Sequence, residues 1–438
     1  MNQLVKGRSS GIRSNTSSKG DQKAFYRFPA NEKVSEAELI ESCTERTGAI
    51  CQARHVLVLN DTTEINLQSH AGRINHDSGV GVTGNNSDLG FFMHLGLAVD
   101  AEQVQAMGYS HIHLWHRQKD KGSKESRGYK QLPVEEKESY KWIQCAIKSK
   151  ELLKNAACIT IAGDRESDMY ELFSDAARSN VQLIARSRIN RKTEEGSYLY
   201  DLLQHQPVMG EHLIHLQGDC RKQTTKRTAT LEVKYSEVRL EKPDKKSKDD
   251  RPDKVKVWIV EAKEPGKTDG IVWRLLTTHP VNSCQDALQI IEWYRMRWFI
   301  EEVFRLLKSK GYRIEDSQLE SGWAIRKLTV LILQTILRVM QMLMAYGKEE
   351  QEDKVVFTRD EITCLEKVNI REEGKTEKLK NKYRQRTLQW ATWIIARPGG
   401  WSGYESQRKP GTITLKNGLD VFNQIYLGWL PAKDVGTQ

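Results

Sequence analysis

In the stretch "EWYRMRWFIEEVFRLLKSKGY", residues 292–312, Tyr294, Arg297, Glu301 and Lys308 stand at offsets of zero, three, seven and fourteen. A helix advancing about 100° per residue brings all four to one face, and Arg305, at offset eleven, joins them. A phenol, two guanidinia and an ammonium around one carboxylate are the groups that hold phosphate oxygens beside an acid. Glu302 points about 80° away from that shared direction, so Glu301 is the acid that the stripe presents. On the opposite side Ile291, Val303, Phe304 and Leu307 form an apolar surface fit to pack on a sheet.

Two further acids follow apolar runs directly: Asp61 in "HVLVLNDTT" and Asp164 in "ACITIAGDRESDMYELF". Carboxylates at the ends of neighbouring strands converge on one point, and a helical glutamate packed across them completes an oxygen-rich site suited to Mg²⁺ or Mn²⁺. Two such ions about 3.5–4 Å apart activate an attacking water or hydroxyl and stabilise the leaving oxygen of a phosphodiester. Plainer readings stand beside this one. Asp61 could cap through Thr62 and Thr63, Asp164 could start the helix that follows, and the stripe could be a solvated face of ion pairs. Likewise "HIHLWH" gives His111, His113 and His116 a metal-like look that strand alternation plus a surface histidine explains equally. His94, in an apolar run, reads as a hydrogen-bonded core histidine.

Positioning these acids requires strands and a packed helix, and the hydrophobic pattern supplies both. The runs "HVLVLNDTTEINL", "FFMHLGLAVD" and "YSHIHLWHR" read as a three-stranded meander. An amphipathic helix, "VEEKESYKWIQCAIKSKELLK", precedes the strand, acid and helix of "ACITIAGDRESDMYELFSDAAR". After "VQLIARSRI", where Arg186 and Arg188 share one strand face, the segments "ATLEVKYSEVRL", "KVKVWIVEAKE" and "GIVWRLLTT" make residues 187–272 a β-rich insertion. Within it "EKPDKKSKDDRPD" reads as a hairpin tip or flexible loop. Helices dominate from residue 283 onward, with a charged connector over 348–386 and a Pro-Gly-Gly stop in "TLQWATWIIARPGGWSGY". Near the start, Ser35 with Glu38 three residues later predicts a helix N-terminus behind a polar, Ser/Lys-rich lead.

A chain of 438 residues is too long for one ordinary core. The longest apolar run, 328–346, carries Gln334, Arg338 and Gln341, which predicts a buried helix rather than a membrane span. The N-terminus has no apolar secretory core, and seven cysteines without a CxxC pair suit reduced thiols in a cytosol, with neither zinc nor a disulfide framework signalled. An excess of 68 Lys+Arg over 58 Asp+Glu gives a formal charge of +10, which draws a polyanion wherever it is clustered.

With these motifs in hand the sequence resembles a family. "YRMRWFIEEVFRLLK" matches the Y-x2-R-x3-E-x6-K signature of bacterial cut-and-paste DDE transposases of the IS-four family, and the Tn-five-type proteins in particular. "VLNDTT" looks like that family's first aspartate and "AGDRESDMYELF" its second, and "AFYRF", "EEKESYKW", "LIARSRINRK", "VWRLLTTHPVNSCQDALQIIEWY" and "LQWATWIIARPGGW" agree in order. The resemblance implies an α/β fold: an RNase H-like catalytic core interrupted by a β-rich insertion, with helical N-terminal and C-terminal regions. It divides the chain into an N-terminal DNA-binding region (1–54), the first part of the core (55–186), the insertion (187–272), the second part of the core with the glutamate helix (273–320) and a C-terminal dimerisation and synapsis region (321–438).

The same resemblance implies that Asp61, Asp164 and Glu301 are the catalytic, metal-binding triad for two Mg²⁺ ions, Mn²⁺ substituting. The implied activity is strand cleavage at a transposon end, hairpin formation and resolution, and strand transfer into target DNA. Tyr294, Arg297 and Lys308 would hold phosphates near the hairpin, with Arg305 beside them, and Arg186 and Arg188 would meet the DNA backbone. Trp273 would stack on a flipped base, which recovers about 1–3 kcal/mol, although its strand pattern also suits a core residue. Implied partners are terminal inverted repeats, target DNA and a second copy in a homodimeric synaptic complex, in the cytoplasm of a bacterium at its nucleoid, with no membrane. The family carries a longer helical segment before "AFYRF", where this chain has twenty-four residues before Phe25, so an incomplete end-reader is expected. That makes a second expectation thinkable, a non-catalytic DNA-binding relative that inhibits transposition through inactive complexes, and a third, a structure-specific nuclease sharing the core.

Overall fold

The computed structural model describes residues 19–435 apart from 75–77, 120–127, 130–131, 178–180, 195, 217–224, 244–249, 309, 349–350 and 405–407. The polar lead, Cys220 and residues 244–249 of the expected hairpin tip lie outside the described residues. The first half runs α1 (Lys19–Ala30), α2 (Glu36–Ile50), β1 (His55–Asn66), β2 (Gly81–Val82), β3 (Leu89–Asp100), β4 (Gln105–Trp115), α3 (Tyr140–Leu152), β5 (Cys158–Gly163), α4 (Tyr170–Ala177), β6 (Val181–Arg186) and α5 (Leu199–His205). The second half runs β7 (Gly210–Leu216), β8 (Arg227–Glu241), β9 (Lys254–Lys263), β10 (Val272–Thr277), α6 (Cys284–Arg295), α7 (Trp298–Leu307), α8 (Gly322–Ala345), α9 (Arg359–Glu372), α10 (Leu388–Ala396) and α11 (Thr412–Val435).

One mixed sheet organises these elements. Its order is β3-β1-β5-β6-β10-β9-β8-β7, with β2 and β4 also paired to β3. β1, β5 and β6 run parallel to one another, and the other pairings are antiparallel. Parallel strands must be covered on both faces, and β1 shows how. Leu57 and Leu59 belong to the cluster under α7, α8, α10 and α11, whereas Val56 and Val58 belong to the cluster under α3 and α4. The apolar run at 328–346 is the heart of α8, a helix long and apolar enough to cross a membrane whose apolar window is 78% buried inside the fold. Its Arg326 is buried too. The guanidinium reaches the Glu36 carboxylate at 2.6 and 2.7 Å and donates to Leu114 O at 2.9 Å.

Three expectations change. The single helix drawn through 292–312 is two helices, because α6 and α7 serve different surfaces: Ala287, Ile290 and Ile291 pack with β8–β10, while Ile300, Val303 and Leu307 pack with β1 and α8. The bend falls at Met296 and Arg297, where Arg297 N donates to Tyr294 O at 3.0 Å. The segment 187–272 is also less of an interruption than expected. β10 pairs with β6 on one side and β9 on the other, so β7–β9 continue the core sheet, and the segment holds helix α5 besides its strands. Finally, β6 ends at Arg186, so Arg188 does not share its strand face.

The far end of β1 and β5 is tied by a histidine bridge. Thr160 Oγ1 lies 2.8 Å from His55 Nε2 and 2.8 Å from His279 Nε2, and Trp293 of α6 meets the His55 ring edge-on at 4.8 Å between centroids. Burial pushes the His279 pKa down to about 4, from 6.5. A depressed histidine pKa stabilises the fold fully above 6.5, and that contribution is lost as pH falls from 6.5 through 4, because the unfolded chain binds the proton first. Chemical denaturation between pH 7 and pH 4 is expected to show this loss, roughly 2–3 kcal/mol for one such group. His279→Gln should flatten that part of the profile, and an unaltered profile would refute the bridge's share in it.

Candidate active site

Parallel pairing places the two aspartates together. Leu59 is opposite Ala162 in the β1–β5 register, so Asp61 and Asp164 each follow two residues later on adjacent strands. The turn after β5 depends on Gly163, where a Cβ would collide with the side chain of Ser167. Ser167 Oγ in turn donates to Asp164 O at 2.6 Å, closing the short helical turn 165–167. Each aspartate holds a neighbouring backbone amide with one oxygen and turns the other outward. Asp61 Oδ1 accepts from Thr62 N and Asp164 Oδ1 from Glu166 N, both at 2.7 Å, which leaves the Oδ2 atoms.

Arg297 joins the strand acid to the helix acid. Its guanidinium donates to Asp61 Oδ2 at 2.7 Å and to Glu301 Oε1 at 2.6 Å, bringing together residues 236 positions apart in the chain. Burial raises the Asp61 pKa, Arg297 and the Thr62 amide pull it down, and Asp164 pushes it up again. Tyr294, on the last turn of α6, hydrogen-bonds Arg297; burial raises its phenol pKa, while Arg297 and Arg186 lower it. Asp61, Asp164, Glu301, Tyr294, Arg297 and Arg186 therefore form one electrostatic cluster.

The remaining predicted residues stand differently. Arg305 turns to the buried Glu302, with Nε 3.0 Å from Oε1, and to Thr412 Oγ1 at 2.5 Å, so it fastens α7 to the start of α11. Lys308 follows the end of α7 and donates to Glu64 O at 2.7 Å, beside Glu315. Arg188 is exposed in the loop after β6, its backbone N held by Asp168 Oδ2 at 2.7 Å. Trp273, on β10, is half-buried against the β8–β10 cluster, next to Val272, whose carbonyl Arg186 reaches at 3.3 Å. Among the described residues the histidine run joins no metal grouping: His113 stacks on His111 and Trp115, and His94 meets His111 and Trp142 edge-on.

Two residues stand out more than the sequence suggested. Asp168, fully buried in its side chain, pairs with Arg191 at 2.6 Å and pins the loop that carries Arg188; its place in "DRESD" was the available signal. Trp298, 51% exposed directly after Arg297, offers an indole beside the cluster, and its offset of four from Tyr294 put it near the same face.

Among the described residues no three His, Cys, Asp or Glu side chains are grouped to hold a metal ion. The guanidinium of Arg297 stands between Asp61 and Glu301. The donor chemistry nonetheless fits a hard divalent cation: carboxylates alone, two of them already sharing one cation, and Asp164 Oδ2 uncommitted. If Arg297 is the counter-charge for Asp61, then Arg297→Ala must move the Asp61 carboxyl titration, followed by carbon NMR, to higher pH. An unmoved titration would dissolve the pairing.

Comparison with known proteins adds two findings. The family model described as "Transposase DDE domain" matches residues 150–338, a stretch that contains Asp164 and Glu301 but not Asp61. A cryo-EM structure of a piggyBac transposase synaptic complex with hairpin DNA shares 9% identity over 65% of this chain and 47% of that one, with a TM-score of 0.32. This chain thus spans about half the length of that protein. Over residues 150–338 the chain is similar to transposase DDE domains.

Proposed function

We propose that this protein is a DNA transposase with an RNase H-like core, holding two Mg²⁺ ions, or Mn²⁺ in their place, through Asp61, Asp164 and Glu301. One observation carries the reading: acids from β1 and α7 meet on a single cation where β1 passes the end of β5, beside a third acid just after β5. Support for the core comes from the sheet, in which β4-β3-β1 is an antiparallel meander and β5 and β6 continue it in parallel. The match of residues 150–338 to a transposase DDE domain supports the chemistry.

Bound divalent ions supply an activated water or hydroxyl and neutralise charge at the phosphorus. The chain's own groups do the rest. Arg297, released from the acids, binds phosphate oxygens bidentately, Tyr294 donates to another, and Arg186 steadies the phenol from β6. Arg188 and Lys308 meet the DNA backbone and Trp273 stacks on an extrahelical base; Arg305 we assign instead to holding α7 on α11. The reaction we infer is hydrolysis of one strand at an inverted-repeat end, attack of the 3′-hydroxyl on the opposite strand to form a hairpin, its reopening, and joining to target DNA. We infer a homodimeric synaptic complex, paired through the C-terminal region, in the bacterial cytoplasm.

With Mg²⁺ and end-bearing duplex, Asp61→Ala, Asp164→Ala and Glu301→Ala should each lose strand cleavage while binding duplex in EDTA as the parent does. Cleavage retained by any one of them would strike that residue from the triad.

A further inference from the structure

A second cationic surface lies on elements that carry none of the acids. A groove of about 620 Å³ is lined by Lys354, Arg359, Arg384 and Arg386, together with Glu352 and the buried Asp353. The turn presenting two of these arginines is locked by its backbone. Thr387 Oγ1 donates to Arg384 O at 2.7 Å, Asp353 N to Arg386 O at 3.1 Å, and Leu388 N to Gln351 O at 2.7 Å. Arg386 holds a left-handed φ of 70° there. Its guanidinium pairs with Glu366 at 2.9 Å, and Lys354 pairs with Glu352. Arg359 and Arg384 are exposed and have no acidic partner among the described residues.

A fixed backbone holding two uncompensated guanidinia lowers the entropy of capturing an anion, and guanidinium matches phosphate geometry. The sequence leading into the turn adds charge: residues 375–386 hold six Lys+Arg against the single acid Glu377. Ile362 is the one apolar residue lining the groove. A protein partner would need an apolar anchor at the centre of its interface, whereas a nucleic-acid backbone needs only the charge. We propose that this groove, formed by the 352–354 segment, α9 and the 384–386 turn, binds the phosphate backbone of duplex DNA away from the acid cluster. That the polyanion is DNA rests on the function proposed above; the anion site itself does not.

The test is duplex binding without metal, in EDTA, over a range of salt concentrations. Arg359→Ala/Arg384→Ala should lower the slope of log affinity against log salt by about 1.8, two phosphate contacts at about 0.9 each, and Arg359→Lys/Arg384→Lys should restore it. Should the double variant fold poorly by circular dichroism, Arg384→Ala alone decides, with about 0.9 expected. An unchanged slope overturns the proposal and leaves the groove to an acidic protein partner. Because neither arginine is in the acid cluster, metal-dependent cleavage at saturating DNA should survive in both variants. A lost slope together with cleavage-competent triad variants would keep the groove and discard the triad.

Discussion

A carboxylate leaving water needs a cation, and in this fold that need is met by one side chain. Asp61 is largely buried within β1 just past its pairing with β5, Glu301 lies on a helix of another layer, and Arg297 answers both. Without it Asp61 would face Asp164 across adjacent strands with only the Thr62 amide to offset their repulsion. The pairing therefore governs local order and chemistry at once. It holds Asp61 and Glu301 on one guanidinium.

The sheet explains why the meeting point is where it is. β5 ends beside Asp61 while β1 runs on to Asn66 paired with β3, and the register sets Asp61 and Asp164 side by side before any loop has a say. Gly163 then lets the chain leave β5 sharply enough for Asp164 to stay there. At the opposite end Thr160 and its two histidines join the feet of the same strands to the segment after β10, and Trp293 of α6 closes over them. The strands that carry the acids are thus fastened at both ends.

How much of this could be read in advance varies by residue. Asp164 was visible because a buried strand writes itself as an apolar run and its end as the first polar residue; Asp61 stood out by the same rule although Asn60 precedes it and β1 continues to Asn66. The helical character of 292–307 was visible because periodicity is a local property. The break at 296–297 was not, since it arises from α6 and α7 packing on different partners, which no local pattern records. Arg305 was misjudged for the same reason: its spacing put it on the stripe, but Glu302 and Thr412, the latter far along the chain, draw it aside. The continuity of β6 with β9 through β10 is likewise a long-range pairing, so 187–272 looked separate in sequence and is joined in space.

The bend between α6 and α7 divides the cluster between two bodies of packing. Tyr294 travels with β8–β10 and Arg297 with the start of α7, whose apolar side belongs to β1 and α8. The seam between these layers runs through the phenol–guanidinium contact itself. A small slide of one layer on the other would widen or narrow that contact while leaving both interiors whole, so a duplex bridging the seam would act as a gauge of how the layers sit.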